Sequence, residues 1–268
     1  MVSTAPDGNA GLVAVTRDVS PNFSRCEITY LPRTEIRADV ARAQHQEYER
    51  LLQRLGCEVV SLPADPELPD SVFVEDVAIV LDEVAIITRP GAPSRRPEPR
   101  AVASALATHR PLASVAEPGT LDGGDVLRVG RTLWVGLSGR SDAAGIAQLA
   151  ALTAPHGYVV RPVAVRGCLH LKSAVTAVAP DTLLLQPSWV DSAPFTGLRI
   201  VEVDPDEPHA ANALLVGSAV VYGASHPRTR ERLERLGLDV RSVDVSEIEK
   251  AEGAVTCCSL IFQRLAPE

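Results

Sequence analysis

The sequence predicts an α/β fold: five hairpin–helix–strand modules set around a central axis. Four hairpin patterns recur along the chain, most of them run on into a helix and a further strand, and the two ends supply the strands of a fifth. Repetition at a spacing of about 40 to 50 residues marks a repeat architecture, in which each unit needs its neighbours.

The elements follow in order. Gly11 to Thr16 reads as a strand, Ile36 to Leu55 as an amphipathic helix and Cys57 to Leu62 as a strand. The first hairpin spans Val72 to Thr88 and turns at Asp82-Glu83; Arg96 to His109 then reads as a helix and Leu112 to Ala116 as a strand. The second hairpin spans Asp125 to Leu137 and turns at Gly130-Arg131. A helix from Ser141, a capping residue type, to Ala154 leads to the strand Tyr158 to Val165. The third hairpin, Ser173 to Gln186, turns at Pro180-Asp181, with only a short helix near Pro187 to Ser192. The fourth, Asn212 to Tyr222, turns at Gly217-Ser218. Its helix, Pro227 to Leu236, has proline at the start and Gly237 just past the end, and the strand Asp239 to Val243 follows.

Ala254 to Phe262 reads as a last strand. Pairing it with the first closes the ring, and radial repetition of this kind removes open sheet edges. Mixed strand–helix units exclude an ordinary all-β propeller; an open α/β sheet is the competing architecture. Since no module could bury its own apolar face, residues 1–268 are read as a single domain.

Composition narrows the function. Of 268 residues 46% are hydrophobic and 22% charged, enough for a full core and too few charges for disorder. The net charge of -8 argues against nucleic acid or an anionic membrane as partner and suits a cationic small molecule. No apolar run reaches the ~18 residues of a membrane span, and Met1 to Gly11 lacks the features of a signal peptide. Five cysteines without regular spacing (Cys26, Cys57, Cys168, Cys257 and Cys258) read as reduced thiols of a cytoplasmic protein, and without a CxxC pair a structural zinc site is not expected.

Polar residues recur near the hairpin starts: Asp76, then Asp122 and Asp125, His170, Asn212 and finally Cys257. Equivalent positions around an axis converge, so a thiol, an imidazole and carboxylates should meet in one central pocket. Such a set suits a guanidinium. Carboxylates hold the planar cation through paired N–H bonds, a thiolate attacks its carbon, and a histidine moves the protons. Cys257 and Cys258 are adjacent and would face opposite ways in an extended strand, but alternation does not say which faces the pocket. His45, His109, His156, His209 and His226 read as surface or capping residues. Gly123-Gly124 reads as a tight turn, and Asp125 as a residue that caps it or touches substrate.

The segments LPADPELPDSVFVEDVAIV (Leu62 to Val80), ITRPGAPSRRPE (Ile87 to Glu98), TLDGGDVL (Thr120 to Leu127), VGLSGRSD (Val135 to Asp142), LHLKS (Leu169 to Ser173) and TCCSL (Thr256 to Leu260) carry a resemblance. By them the chain resembles the dimethylarginine dimethylaminohydrolases of the guanidino-group-modifying, or pentein, superfamily, along nearly its whole length.

The resemblance implies a five-bladed α/β propeller. It also implies hydrolysis of Nω-methylated arginines to citrulline through a covalent cysteine adduct, without a cofactor. It makes Cys257 the nucleophile, His170 the general acid/base and Asp122 the carboxylate that orients it. Asp76 would grip the guanidinium. Asp70, Phe73 and Glu75 would line the substrate site, while Arg95 and Arg140 take the amino-acid carboxylate. Ser20 to Ile28 would be a lid, with Ile28 and a backbone group of Ala251 touching substrate. The family often reads SKRTN where this chain has Ser138 to Asp142; the arginine is kept. A monomer or homodimer is expected, and inhibitory zinc at Cys257 is compatible with the residue types. The alternatives are an arginine or agmatine deiminase of the same superfamily, or a non-catalytic binding propeller.

Overall fold

The structure, a computed structural model, describes residues 11–265. Residues 1–10, on which the reading of a missing signal peptide rests, lie outside it.

The first strand, β1 (Leu12–Arg17), is followed by α1 (Ala38–Arg54) and β2 (Glu58–Leu62). The next module is β3 (Ala78–Val80), β4 (Ala85–Ile87), α2 (Pro99–Leu106) and β5 (Leu112–Ser114). Then come β6 (Val126–Val129), β7 (Thr132–Leu137), α3 (Ala143–Thr153) and β8 (Val159–Ala164). A one-turn helix α4 (Leu171–Ala174) opens β9 (Val175–Ala179), β10 (Thr182–Leu185) and β11 (Arg199–Glu202). The last full module is β12 (Ala213–Val216), β13 (Ala219–Gly223), α5 (Pro227–Arg235) and β14 (Asp239–Val243). A short α6 (Ser246–Glu249) and β15 (Leu260–Gln263) end the described chain.

These strands form five three-stranded sheets among the described residues. In each, an antiparallel pair is joined by a third strand that runs parallel to the middle one. The ring closes through the termini, since Leu12 to Val15 pair antiparallel with Gln263 to Leu260.

The core shows why the modules stay together. Apolar residues gather in five clusters, each filled from two neighbouring modules. Val13 and Val15 meet Val77 and Val102; Ile86 meets Leu133 and Leu149; Trp134 meets Leu183 and Phe195; Leu184 meets Val220 and Leu233; Val221 and Val243 meet Ala14 and Leu52. The apolar area of each sheet is thus removed from water by the next module, at roughly 25 cal/mol per Å².

Several elements depart from the expectation. The helix expected from Arg96 starts at Pro99, because Pro97 and Pro99 cannot donate within a helix and Pro99 fits only its first turn. Pro187 to Ser192 forms turns, not a helix. The last strand begins at Leu260 rather than Ala254, and Cys257 sits in the turn before it. His45, expected at the surface, is 1% exposed on α1 beside Tyr48, and burial lowers its pKa.

Candidate active site

A tight turn precedes the first strand of most modules, and these turns carry the reactive groups. Asp76 lies in the 3-10 turn Val74–Val77 before β3. Asp122 occupies the N-cap position of the turn Gly123–Asp125 before β6, and His170 that of α4 before β9. Cys257 lies in the turn before β15. The turns pack on one another at the axis, so residues far apart in sequence meet.

His170 is 5% exposed. Its Nε2 lies 3.1 Å from Asp122 Oδ2, and its Nδ1 lies 3.7 Å from Asp76 Oδ1. Asp122, fully buried, also accepts from the Gly91 amide at 2.9 Å, and its own amide donates to Ser141 Oγ. Burial alone would lower the imidazole pKa, but the charge of Asp76, the bond to Asp122 and the charge of Asp125 outweigh it and raise it to about 9. Cys257 shows the opposite balance: burial first, then the charges of Glu75 and Asp76, push its thiol up to about 12. These surroundings favour imidazolium and thiol over imidazole and thiolate.

Arg95 is 3% exposed and its guanidinium is engaged on several sides. Nη1 donates to Asp76 Oδ2 at 2.6 Å, Nη2 to Glu98 Oε2 at 2.8 Å, and Nε to both Glu98 oxygens at 3.1 Å. Burial raises Glu98 to about 7, Arg95 opposing. Asp76 is also buried, yet His170 and Arg95 hold it below the usual carboxylate range. The expected use of Arg95 for an incoming carboxylate therefore meets a guanidinium already committed to Asp76 and Glu98. Arg140 differs: it is 9% exposed, its Nη2 reaches Thr29 Oγ1 at 3.4 Å, and its Nη1 is buried without a partner.

One cavity collects Asp70, Phe73, Asp76, Arg95, Arg140, His170, Ala251 and Cys257. Its volume is about 10 Å³, room for one water at most. Phe73 forms an edge contact with Phe23 at 5.8 Å and lies under Arg95. Asp70, raised by burial to about 6, accepts the Glu27 amide at 3.1 Å.

Two expected contacts fall elsewhere. Ile28 packs on the apolar cluster that contains Phe23, and Glu27 lines the cavity in its place. Glu75, next to Asp76 in a tight turn, projects away from this cavity. Its carboxylate binds Lys172 and accepts Thr256 Oγ1 at 2.7 Å, and its amide donates to the Cys257 carbonyl at 3.2 Å. Glu75 thus fixes the turn that bears the thiol. The segment expected as a lid is pinned by Ser20 Oγ donating to the Asp65 carbonyl and by Phe23 in the core.

Three supporting residues have partners that the sequence does not reveal. Asp125 accepts from Ser138 Oγ, Ser141 Oγ and the Leu171 amide, joining the loop of Arg140 to that of His170. Asn212 bonds both the amide and the hydroxyl of Thr256. Glu252, at φ 60, accepts the amides of Thr29, Tyr30 and Leu31. A charged acceptor for several amides contributes about 1.5–3 kcal/mol per bond. Glu252→Ala should therefore raise amide hydrogen exchange at residues 29–31 by at least ~10-fold, while amides in β7 are unchanged.

Gly124 shows how tight the centre is. A Cβ there would lie 2.6 Å from Asp76 Oδ1 and 2.7 Å from His170 Nδ1. Its amide donates to Asp76 Oδ1 at 3.2 Å. Gly124→Ala should displace the imidazole and cut kcat on the order of 10²-fold.

Among the described residues, the one group of three metal-capable side chains is Asp76, Asp122 and His170, with ligand atoms within 4.8 Å of one another. Cys257 is not in that group. Cys258 is 1% exposed and packs in the core, while Cys257 is partly open. Among the described residues no helix is long and apolar enough to cross a membrane.

A five-module α/β propeller with thiol, imidazole and carboxylates at its axis defines the pentein class of folds. The family model described as N,N dimethylarginine dimethylhydrolase, eukaryotic, matches residues 24–192. A Streptomyces coelicolor N(G),N(G)-dimethylarginine dimethylaminohydrolase is 42% identical over 253 residues, covering 94% of this chain and 97% of that protein. The chain belongs to the dimethylarginine dimethylaminohydrolase family. Among solved structures, the Pseudomonas aeruginosa enzyme, as a cysteine-to-serine mutant complexed with citrulline, superposes with a TM-score of 0.89 at 34% identity, covering 93% of this chain and 98% of that one. A histidine-to-glycine form of a dimethylarginine dimethylaminohydrolase, in adduct with S-methyl-L-thiocitrulline, gives a TM-score of 0.88 at 34% identity and the same coverage.

Proposed function

We propose that this protein hydrolyses Nω,Nω-dimethyl-L-arginine to L-citrulline and dimethylamine, and Nω-methyl-L-arginine to citrulline and methylamine. The observation that carries the reading is the meeting of Cys257, His170 and Asp76 in one cavity, in a chain whose relatives bear this name. The citrulline complex and the thiocitrulline adduct of the solved relatives support a substrate of this size and chemistry.

The substrate guanidinium lies beside Asp76, and its charge lowers the cost of the Cys257 thiol giving up its proton to solvent, the proton that the released dimethylamine later takes up. Sulfur adds to the guanidinium carbon. The tetrahedral adduct collapses, and His170 gives its proton to the departing amine. The S-alkylthiouronium left on Cys257 is then attacked by water, which the neutral imidazole deprotonates. Carbon–sulfur cleavage returns the thiol and releases citrulline. Asp122 holds the imidazole throughout. Arg140, with its unpartnered Nη1, takes the amino-acid carboxylate, with Arg95 beside it and Asp70 flanking. Ala251 and Phe73 form walls. No cofactor enters this scheme, and residues 1–268 act as one catalytic domain in the cytoplasm, as a monomer or homodimer.

The test is an assay of both products from asymmetric dimethylarginine and, separately, from arginine. Citrulline with stoichiometric dimethylamine, and little from arginine, is expected. Ammonia from arginine as the dominant reaction would assign a deiminase instead.

A further inference from the structure

The sulfur of Cys257 has a hydroxyl neighbour without a part in the steps of hydrolysis. Thr256 Oγ1 lies 4.0 Å from Cys257 Sγ. Thr256 is buried, and its hydroxyl is held from two sides. It donates to Glu75 Oε2 at 2.7 Å and accepts from Asn212 Nδ2 at 3.0 Å. The Thr256 amide donates to Asn212 Oδ1 at 3.1 Å, so Asn212 clamps both the backbone and the side chain of this residue. Lys172 binds the other oxygen of Glu75, and Asn212 Nδ2 also donates to the Lys172 carbonyl.

One freedom is left. A threonine hydroxyl has one hydrogen and two lone pairs. Asn212 takes a lone pair and fixes where the oxygen sits. The hydrogen can point at Glu75 or, after rotation about the Cβ–Oγ1 bond, at Cys257 Sγ. While the sulfur is a neutral thiol, the carboxylate is the better acceptor. Once the sulfur is anionic it competes for the hydrogen, and Glu75 still has Lys172. A separation of 4.0 Å is long for a bond to sulfur, and charge on the acceptor shortens such bonds. Sulfur is anionic twice in the reaction, as it attacks the guanidinium carbon and as it leaves the hydrated adduct. A donor that binds it only then lowers both barriers. Glu75 and Asp76 oppose the anion, and the hydroxyl offsets part of their effect.

We propose that Thr256 is a further catalytic residue. Its hydroxyl moves its hydrogen bond from Glu75 to the Cys257 thiolate, with no proton transferred, and Asn212 is the positioning residue that aims it. The role in turnover rests on the hydrolase reading; the bond to sulfur can be tested without turnover.

The test is alkylation of Cys257 by iodoacetamide, followed on its peptide by mass spectrometry between pH 8 and 10 in the wild type, Thr256→Val and Thr256→Ser. Unfolding curves check that each variant is folded. Valine keeps the shape and removes the donor, so labelling should slow by about tenfold, the loss that one pKa unit of thiolate stability produces. Thr256→Ser keeps the hydroxyl and should restore the rate. In turnover, Thr256→Val should lower kcat on the order of 10–10²-fold with KM little changed, and Thr256→Ser should restore kcat. If Thr256→Val does not fold, Thr256→Ala takes its place, since it admits water to Glu75 and Asn212. Wild-type labelling in a folded variant that lacks the hydroxyl, or a serine variant as slow as the valine one, overturns the proposal. Parallel assay with asymmetric dimethylarginine separates the two readings. Slowed labelling in a protein that forms no citrulline keeps the bond to sulfur and removes the hydrolase assignment; citrulline formation with labelling that ignores residue 256 does the reverse.

Discussion

Cys257→Ser is expected to abolish citrulline formation, by on the order of 10⁴–10⁶-fold, while the protein stays folded. Serine is nearly isosteric, and residue 257 is partly open rather than packed in the core, so folding has little reason to change. Chemistry does. A hydroxyl is a far weaker nucleophile than a thiolate, and the neighbouring Glu75 and Asp76 oppose any anion at this position. The same charges set a pH dependence. With the thiol pushed up to about 12, a neutral alkylating reagent should label Cys257 slowly at pH 7 and faster with each rise in pH. A reagent that carries an amidinium should react faster at pH 7, because it brings the charge that stabilises the thiolate. Rapid labelling by the neutral reagent at pH 6 would mean that the thiolate is already present before substrate binds.

His170→Gln should cost about 10²–10⁴-fold, the usual worth of a placed proton carrier. The wild-type imidazole, with a pKa of about 9, is charged at neutral pH and ready to protonate the amine. It must then lose its proton to activate water. Amine release should therefore run ahead of citrulline release at pH 6, and the gap should close towards pH 9. Stability has a matching sign. A folded pKa raised above the unfolded ~6.5 stabilises fully below that pH and is lost as pH rises through about 9. His170→Gln should remove this decline, as followed by denaturant unfolding between pH 6 and 10. An unchanged decline would place its origin in another group.

Much of the fold was legible because hairpin turns are written locally. Asp82-Glu83, Gly130-Arg131, Pro180-Asp181 and Gly217-Ser218 all fall between paired strands. Ring closure was legible too, because the end strands had no other partner of their kind. The convergence of Asp76, Asp122, His170 and Cys257 followed from their equivalent positions in a repeat. What stayed hidden depends on which way a side chain leaves a tight turn. Glu75 and Asp76 are adjacent, yet one faces Lys172 and Thr256 and the other Arg95 and His170. The commitment of Arg95 to Glu98, three residues on, had a faint signal in its spacing. The bonds of Asn212 to Thr256 and of Glu252 to residues 29–31 span 44 to 223 residues, and no local pattern announces them.

Catalysis turns on a covalent bond to one sulfur. The direct measurement is to quench the protein with acid during turnover of asymmetric dimethylarginine and to weigh its peptides. A citrulline-forming adduct is expected on the peptide that holds Cys257, present while substrate lasts and absent in Cys257→Ser. Continued citrulline formation by that variant, with no adduct on the wild-type peptide, would contradict it.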